Sequence, residues 1–177
     1  MKTAIVIGNP RLHSRTAQAA TMLATALTGA PPGTTIELAE LGPALLGWND
    51  PAVEAAVSTV AASRLVIVAS PTFKASYSGL LKLFLDQFAG GTGLQGVVAI
   101  PLMLGATAMH GMAAECLLKP VLVHLGAVCP APGLFLLEKA FEDGLAIQSY
   151  ANRWGPAARI CAGLHASGAT TESNLTC

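Results

Sequence analysis

The chain has 177 residues, of which 53% are hydrophobic and only 11% charged, with ten basic side chains balancing ten acidic ones. That length fits one domain spanning 1–177, and the lack of a basic excess argues against nucleic-acid binding. No apolar run approaches the roughly 18 residues of a membrane span, and Ala4–Ile7 is too short, before Gly8-Asn9-Pro10, to be the core of a secretory signal.

So low a charged fraction, about half the usual globular share, implies an apolar surface partly buried against another subunit. Cys116, Cys129, Cys161 and Cys177 form no CxxC pair, and the four histidines are scattered. This predicts a reduced, cytoplasmic protein without a metal site.

In chain order, Thr3–Gly8 is a short β-branched run, expected as a strand buried on both faces. Ser14–Leu27 reads as helix, closed by Gly29 and Pro31-Pro32-Gly33. Thr34–Leu38 is the second strand. Pro51–Ala61 is helical, with Asp50 as N-cap and proline at the first helical position. Leu65–Ser70 is the third strand and the expected sheet centre. Tyr77–Phe88 reads as amphipathic helix, Gly96–Leu104 as the fourth strand and Met109–Leu125 as the longest helix. Ala127–Pro132, with Phe135 nearby, suggests the fifth strand. Ile147–Leu164 supplies a last helix before a frayed tail at about 166–177. Alternating strands and helices predict right-handed crossovers and an α/β doubly wound parallel sheet in the order 2-1-3-4-5.

Ligands of such sheets bind beyond the strand carboxyl ends, where the strand order reverses. Three loops therefore matter. Gly8-Asn9-Pro10-Arg11-Leu12-His13-Ser14-Arg15-Thr16 lacks both GxGxxG and the P-loop pattern, but it sets two arginines and two hydroxyls at a helix start. That is either an anion site or an ordinary Ser14 cap beside solvated arginines. Ser70–Gly79 offers proline, an aromatic and hydroxyls that could surround a flat ring, or it is a plain turn with Ser76 capping the next helix. Leu104–His110 is rich in small residues that let backbone approach a ligand, or it is a flexible turn with a surface histidine.

Taken together, GNPRLHSRT at 8–16, SPTFKASYSGLLKLFLD at 70–86, GATAMH at 105–110 and LLKPVL at 117–122 resemble the NADPH-dependent FMN reductase family, in particular reductases that feed alkanesulfonate-type two-component monooxygenases. The resemblance covers residues 1 to about 130. It implies a flavodoxin-like fold, with Arg11, Ser14, Arg15 and Thr16 on the FMN phosphate. It implies Pro71, Thr72, Phe73 and Lys74, with Gly105, Ala106 and Thr107, around the isoalloxazine, and His110 matches a family histidine. It further implies NADPH or NADH as donor and a flavin-dependent monooxygenase as partner, while the low charge and the apolar helices at 77–88 and 109–125 suggest a homodimer or homotetramer. At 116, where the family often has an aromatic residue or histidine, this chain has Cys116, which either borders the crevice or a subunit contact or fills a core gap.

Hydride transfer between nicotinamide and flavin asks little of side chains, because the cofactors carry the chemistry. No catalytic side chain is therefore assigned. Quinone or azo-dye reduction on the same fold, and electron carriage without catalysis, are the alternatives; a net charge of zero counts against a carrier that docks by charge. Met103, Met109 and Met112 are expected to pack the core, as are Cys129 and Cys161, and Trp48 and Trp154 to anchor packing or an interface.

Overall fold

The computed structural model describes residues 2–163. Five parallel strands, β1 (Thr3–Ile7), β2 (Thr34–Glu37), β3 (Leu65–Pro71), β4 (Val98–Gly105) and β5 (Leu134–Leu137), line up as β2-β1-β3-β4-β5, the expected order. The central register sets Ile5 against Ile67 and Ile67 against Ile100. Because side chains alternate along a strand, Ala4, Val6, Val66 and Val68 feed one apolar layer while Ile5, Ile7, Ile67 and Leu102 feed the other. Both faces are covered by helices, so these strands carry no polar alternation.

Local chemistry sets the helix ends. In α1 (Arg15–Thr28) the Ser14 side chain accepts from Ala17 N, and Gly29 closes the helix at φ 75°. α2 (Leu38–Leu41) and a 3₁₀ turn over Gly42–Leu46 fill a stretch to which the sequence assigns no element. α3 (Pro51–Ala61) starts as expected, with Asp50 Oδ1 accepting from Ala52 N and Val53 N. α4 (Gly79–Leu85) is shorter than 77–88 and is capped by Ser78, not Ser76. Ser76 instead pairs with Phe73. The remaining helices are α5 (Lys119–His124) and α6 (Leu145–Cys161), the latter packed on α1, where Arg159 Nη1 donates to Leu27 O at 2.9 Å. The expected helix end at Leu164 and the tail at 166–177 lie outside the described residues.

Two expectations fail at prolines. The stretch 109–125 is not one helix but a 3₁₀ turn at Ala108–His110, a π-helical segment at Ala114–Leu118 and then α5. Pro120 has no N–H to give the carbonyl four residues back, and its ring crowds that carbonyl, so the regular ladder cannot run through. The fifth strand is displaced from Ala127–Pro132 to Leu134–Leu137. In the earlier stretch only Val128 bridges, to Val98. Pro130 and Pro132 lack the N–H groups a ladder needs.

The displaced strand is pinned to the π segment. Glu115 accepts from Gly133 N–H and from Lys119 Nζ, the latter at 2.8 Å. Desolvation alone would raise the Glu115 carboxyl, but these hydrogen bonds outweigh it and hold it below its ordinary value of 4.5. A Cβ on Gly133 would lie 2.5 Å from the Ala114 carbonyl carbon, so only glycine admits this approach.

Other packing expectations also change. Met103 is core, but Met109 is 85% exposed and Met112 63%. Cys129 is partly buried, and burial pushes its thiol up to about 11, whereas Cys161 is exposed. Cys116 is exposed too, and so fills no core gap. Among the described residues no helix is long and apolar enough to cross a membrane.

Candidate functional site

The site begins where β1 meets β3. Gly8 N donates to Ala69 O at 2.8 Å, extending the pairing one residue beyond the strand. Ser78 Oγ donates to Gly8 O and accepts from Leu81 N at 3.1 Å. Ser78 N in turn donates to Ser70 Oγ at 2.9 Å, and Ser70 Oγ donates to Pro71 O at 2.8 Å. These buried hydrogen bonds tie the end of β3, the first loop and the start of α4 into one unit.

The first loop is braced at both ends. Arg11 N donates to Asn9 Oδ1 at 2.9 Å, and Asn9 Nδ2 donates to Thr16 Oγ1 at 3.0 Å. His13, at φ 51°, donates its N–H to both Glu37 oxygens at 3.2 and 3.1 Å, so the end of β2 fixes the turn before α1. Arg11 and Arg15 are exposed, whereas Ser14 and Thr16 are buried.

The second loop turns on itself. Phe73 N donates to Ser76 O at 2.8 Å and Ser76 N to Phe73 O at 3.1 Å, with Lys74 and Ala75 between them at φ 50° and 69°. Two successive non-glycine residues with positive φ mark stored backbone strain, typically about 1–3 kcal/mol each. The turn leaves the Phe73 ring half exposed. Thr72 N donates to Leu104 O at 2.6 Å, while Thr72 Oγ1 is buried without a partner. Gly105 lies beside it: a Cβ there would be 3.2 Å from Thr72 Oγ1 and 2.7 Å from the Phe135 ring.

A cavity of about 490 Å³ opens between these loops, lined by Asn9, Pro10, Arg11, Ser14, Arg15, Thr16, Pro71, Phe73 and Glu138. Of the residues expected here, Arg11, Ser14, Arg15, Thr16, Pro71 and Phe73 are brought together. Thr72 and Gly105 meet each other at the adjoining strand ends. Lys74 sits in the tight turn; Ala106 and Thr107 are exposed after β4, and His110 is half-buried in the 3₁₀ turn. None of these last four lines the cavity. Asn9, Pro10 and Glu138 line the cavity in addition to the residues expected from sequence. Glu138 follows β5, and its N–H donates to Gly105 O at 3.1 Å; the true register of β5 is the signal that would have found it.

The crevice combines the N-terminus of a 14-residue helix with two guanidinium groups and two hydroxyls. Helix N–H groups favour an anion, and arginines add charge-assisted hydrogen bonds. A phosphate ester suits that end. The strained turn with Phe73 and the unpartnered Thr72 hydroxyl suits a flat ring with polar edges at the other.

The family model for NADPH-dependent FMN reductase matches residues 1–142. An FMN reductase (NADPH) of Escherichia coli is 39% identical over 88 residues, covering 50% of this chain and 46% of that protein. The NADH-dependent FMN reductase SfnF of Pseudomonas fluorescens is 32% identical over 107 residues, covering 58% and 55%. The chain thus spans about half the length of the curated relatives it matches. Among solved structures, the apo form of an NADH:FMN oxidoreductase (EMOB) superposes with a TM-score of 0.79 at 29% identity, covering 89% of this chain and 88% of that one. An oxidoreductase from Corynebacterium diphtheriae gives 0.76 at 30% identity, covering 96% and 99%.

Proposed function

Since the chain belongs to the NADPH-dependent FMN reductase family, we propose that it reduces FMN at the expense of NADPH or NADH. The observation that carries this reading is the crevice at the carboxyl ends of β1 and β3, where Arg11, Ser14, Arg15 and Thr16 face one cavity with Pro71 and Phe73. The four polar residues would hold the flavin phosphate. Pro71, Thr72, Phe73 and Lys74, with Gly105, Ala106 and Thr107, would border the ring, and His110 would stand at its margin. Bound flavin supplies the hydride acceptor. The chain's own residues would bind and orient the two rings and exclude water.

Initial rates of NADPH and NADH oxidation with FMN, riboflavin, a quinone and an azo dye as acceptors test this reading. FMN should give the highest kcat/KM. A preference for quinone or dye would move the activity to that alternative, and slow turnover with every acceptor would point to an electron carrier.

The same reading extends to assembly, partner and location. Met109, Met112, Leu117, Val123 and Val128 are exposed along one stretch of chain. Near it an apolar groove of about 460 Å³ runs between α4 and α5. Patches of this kind favour a closed homodimer or homotetramer. Sedimentation should show a species heavier than the 18.0 kDa chain; a stable, active monomer at micromolar concentration would rule this out. Reduced flavin would pass to a flavin-dependent monooxygenase, and the free thiols Cys116, Cys129 and Cys161 suit a cytoplasmic setting.

A further inference from the structure

α1 carries four threonines, and three of them donate their hydroxyl proton to a backbone carbonyl. Thr21 and Thr25 donate to the carbonyls four residues back, of Ala17 and Thr21, both at 2.9 Å, and Thr28 has the carbonyls of Ala24 at 2.8 Å and Ala30 at 2.9 Å in reach of its one proton. Thr16 does not donate in this way. Its Oγ1, on a residue only 2% exposed, accepts from Asn9 Nδ2 at 3.0 Å. The opposite end of the Asn9 amide fixes which way it lies, because Arg11 N–H at 2.9 Å can be accepted only by the oxygen. An amide NH₂ cannot accept, so the Thr16 proton cannot point back at Asn9.

Thr16 lines the crevice together with Asn9 and Ser14. Ser14 Oγ is likewise engaged as an acceptor, from Ala17 N at 3.3 Å, and it donates to no protein acceptor among the described residues. Two hydroxyl protons are thus left over at one wall of one cavity. We infer that Asn9 is a positioning residue, which turns the Thr16 hydroxyl proton into the crevice and makes that wall favour the charged oxygens of a phosphate monoester over a neutral terminal hydroxyl. A terminal hydroxyl also accepts, but a hydrogen bond to a charged oxygen is roughly twice as strong as one to a neutral oxygen, so donors at this wall favour the phosphate ester.

This inference rests on the reading that the crevice takes the flavin phosphate, and the test separates the two. FMN and riboflavin are titrated into the wild type, Asn9→Ala, Thr16→Val, the double variant and Arg15→Ala, following flavin fluorescence. Asn9→Ala should weaken FMN by roughly tenfold, the scale of one hydrogen bond to a charged group, with little change for riboflavin. In the Thr16→Val background the same substitution should cost much less, because the proton it orients is already gone. The lost Arg11 anchor is common to both backgrounds and cancels. An undiminished effect in the Thr16→Val background, or equal losses for both flavins, would overturn the role of Asn9. If Arg15→Ala distinguishes the flavins and Asn9→Ala does not, the inference alone falls. If neither distinguishes them, the phosphate reading falls with it.

Discussion

Arg15→Ala should weaken FMN binding by roughly tenfold to a hundredfold, the range for one charge-assisted hydrogen bond, while riboflavin binding stays nearly unchanged. Arg15 is the first residue of α1, one position past the Ser14 cap. The first turn of α1 holds no acidic side chain. Among the described residues Arg15 enters none of the ion pairs His13–Glu37, Lys82–Asp86 and Lys119–Glu115. Its guanidinium is therefore free to meet an anion drawn to the same N–H groups. The FMN difference should narrow as salt rises, since an exposed charge is screened over about 10 Å at 0.1 M. Equal losses for FMN and riboflavin in the titration would show that Arg15 does not hold the phosphate.

Gly8→Ala should be the most damaging single methyl group at the site, costing about 3 kcal/mol, the upper end for overpacking. The new Cβ would stand 2.6 Å from Leu81 Cβ and 3.3 Å from Ser78 Oγ. Leu81 is fully buried on α4, and its Cβ cannot swing away as the end of a flexible side chain could. Relief requires α4 to move off β1, which breaks the Ser78–Gly8 hydrogen bond and loosens both loops. For a chain of this size the midpoint of thermal unfolding should fall by about 10 °C. Flavin affinity should fall with it, because the same hydroxyl chain positions Pro71. A variant that melts like the wild type would mean that α4 accommodates the methyl and the close approach is not structural.

The strand order was legible because the central strands are short β-branched runs. Thr3–Ile7 and Leu65–Pro71 are buried on both faces and leave no choice of register face. Helix starts were legible where cap chemistry is unambiguous, as at Ser14 and at Asp50-Pro51. They were ambiguous where serines compete: Ser76 and Ser78 both precede α4, and only the Phe73–Ser76 turn decides between them. Prolines misled most. Pro120 put a π-helical segment into a stretch read as one regular helix, and Pro130 with Pro132 pushed β5 five residues or more along the chain.

The candidate site divides in the same way. Arg11, Ser14, Arg15 and Thr16 lie within six residues of one another, and Pro71 and Phe73 within three, so local reading suffices to group them. Glu138 reaches the cavity only through the register of β5, and the part played by Asn9 depends on which way its amide faces. Neither is written in residue spacing. Met109 and Met112 were misplaced for a related reason: a continuous helix would have turned them inward, whereas the 3₁₀ turn and the residues after it hold them out.

The proposed function is reduction of FMN by a nicotinamide in this crevice. Mixing the purified protein with FMN and either NADPH or NADH under anaerobic conditions, and following loss of flavin colour, tests it most directly. Many equivalents of FMN per chain should be bleached, at a rate that rises with protein concentration and falls in Arg15→Ala. Bleaching no faster than in nicotinamide and FMN without protein, with both donors, would contradict it.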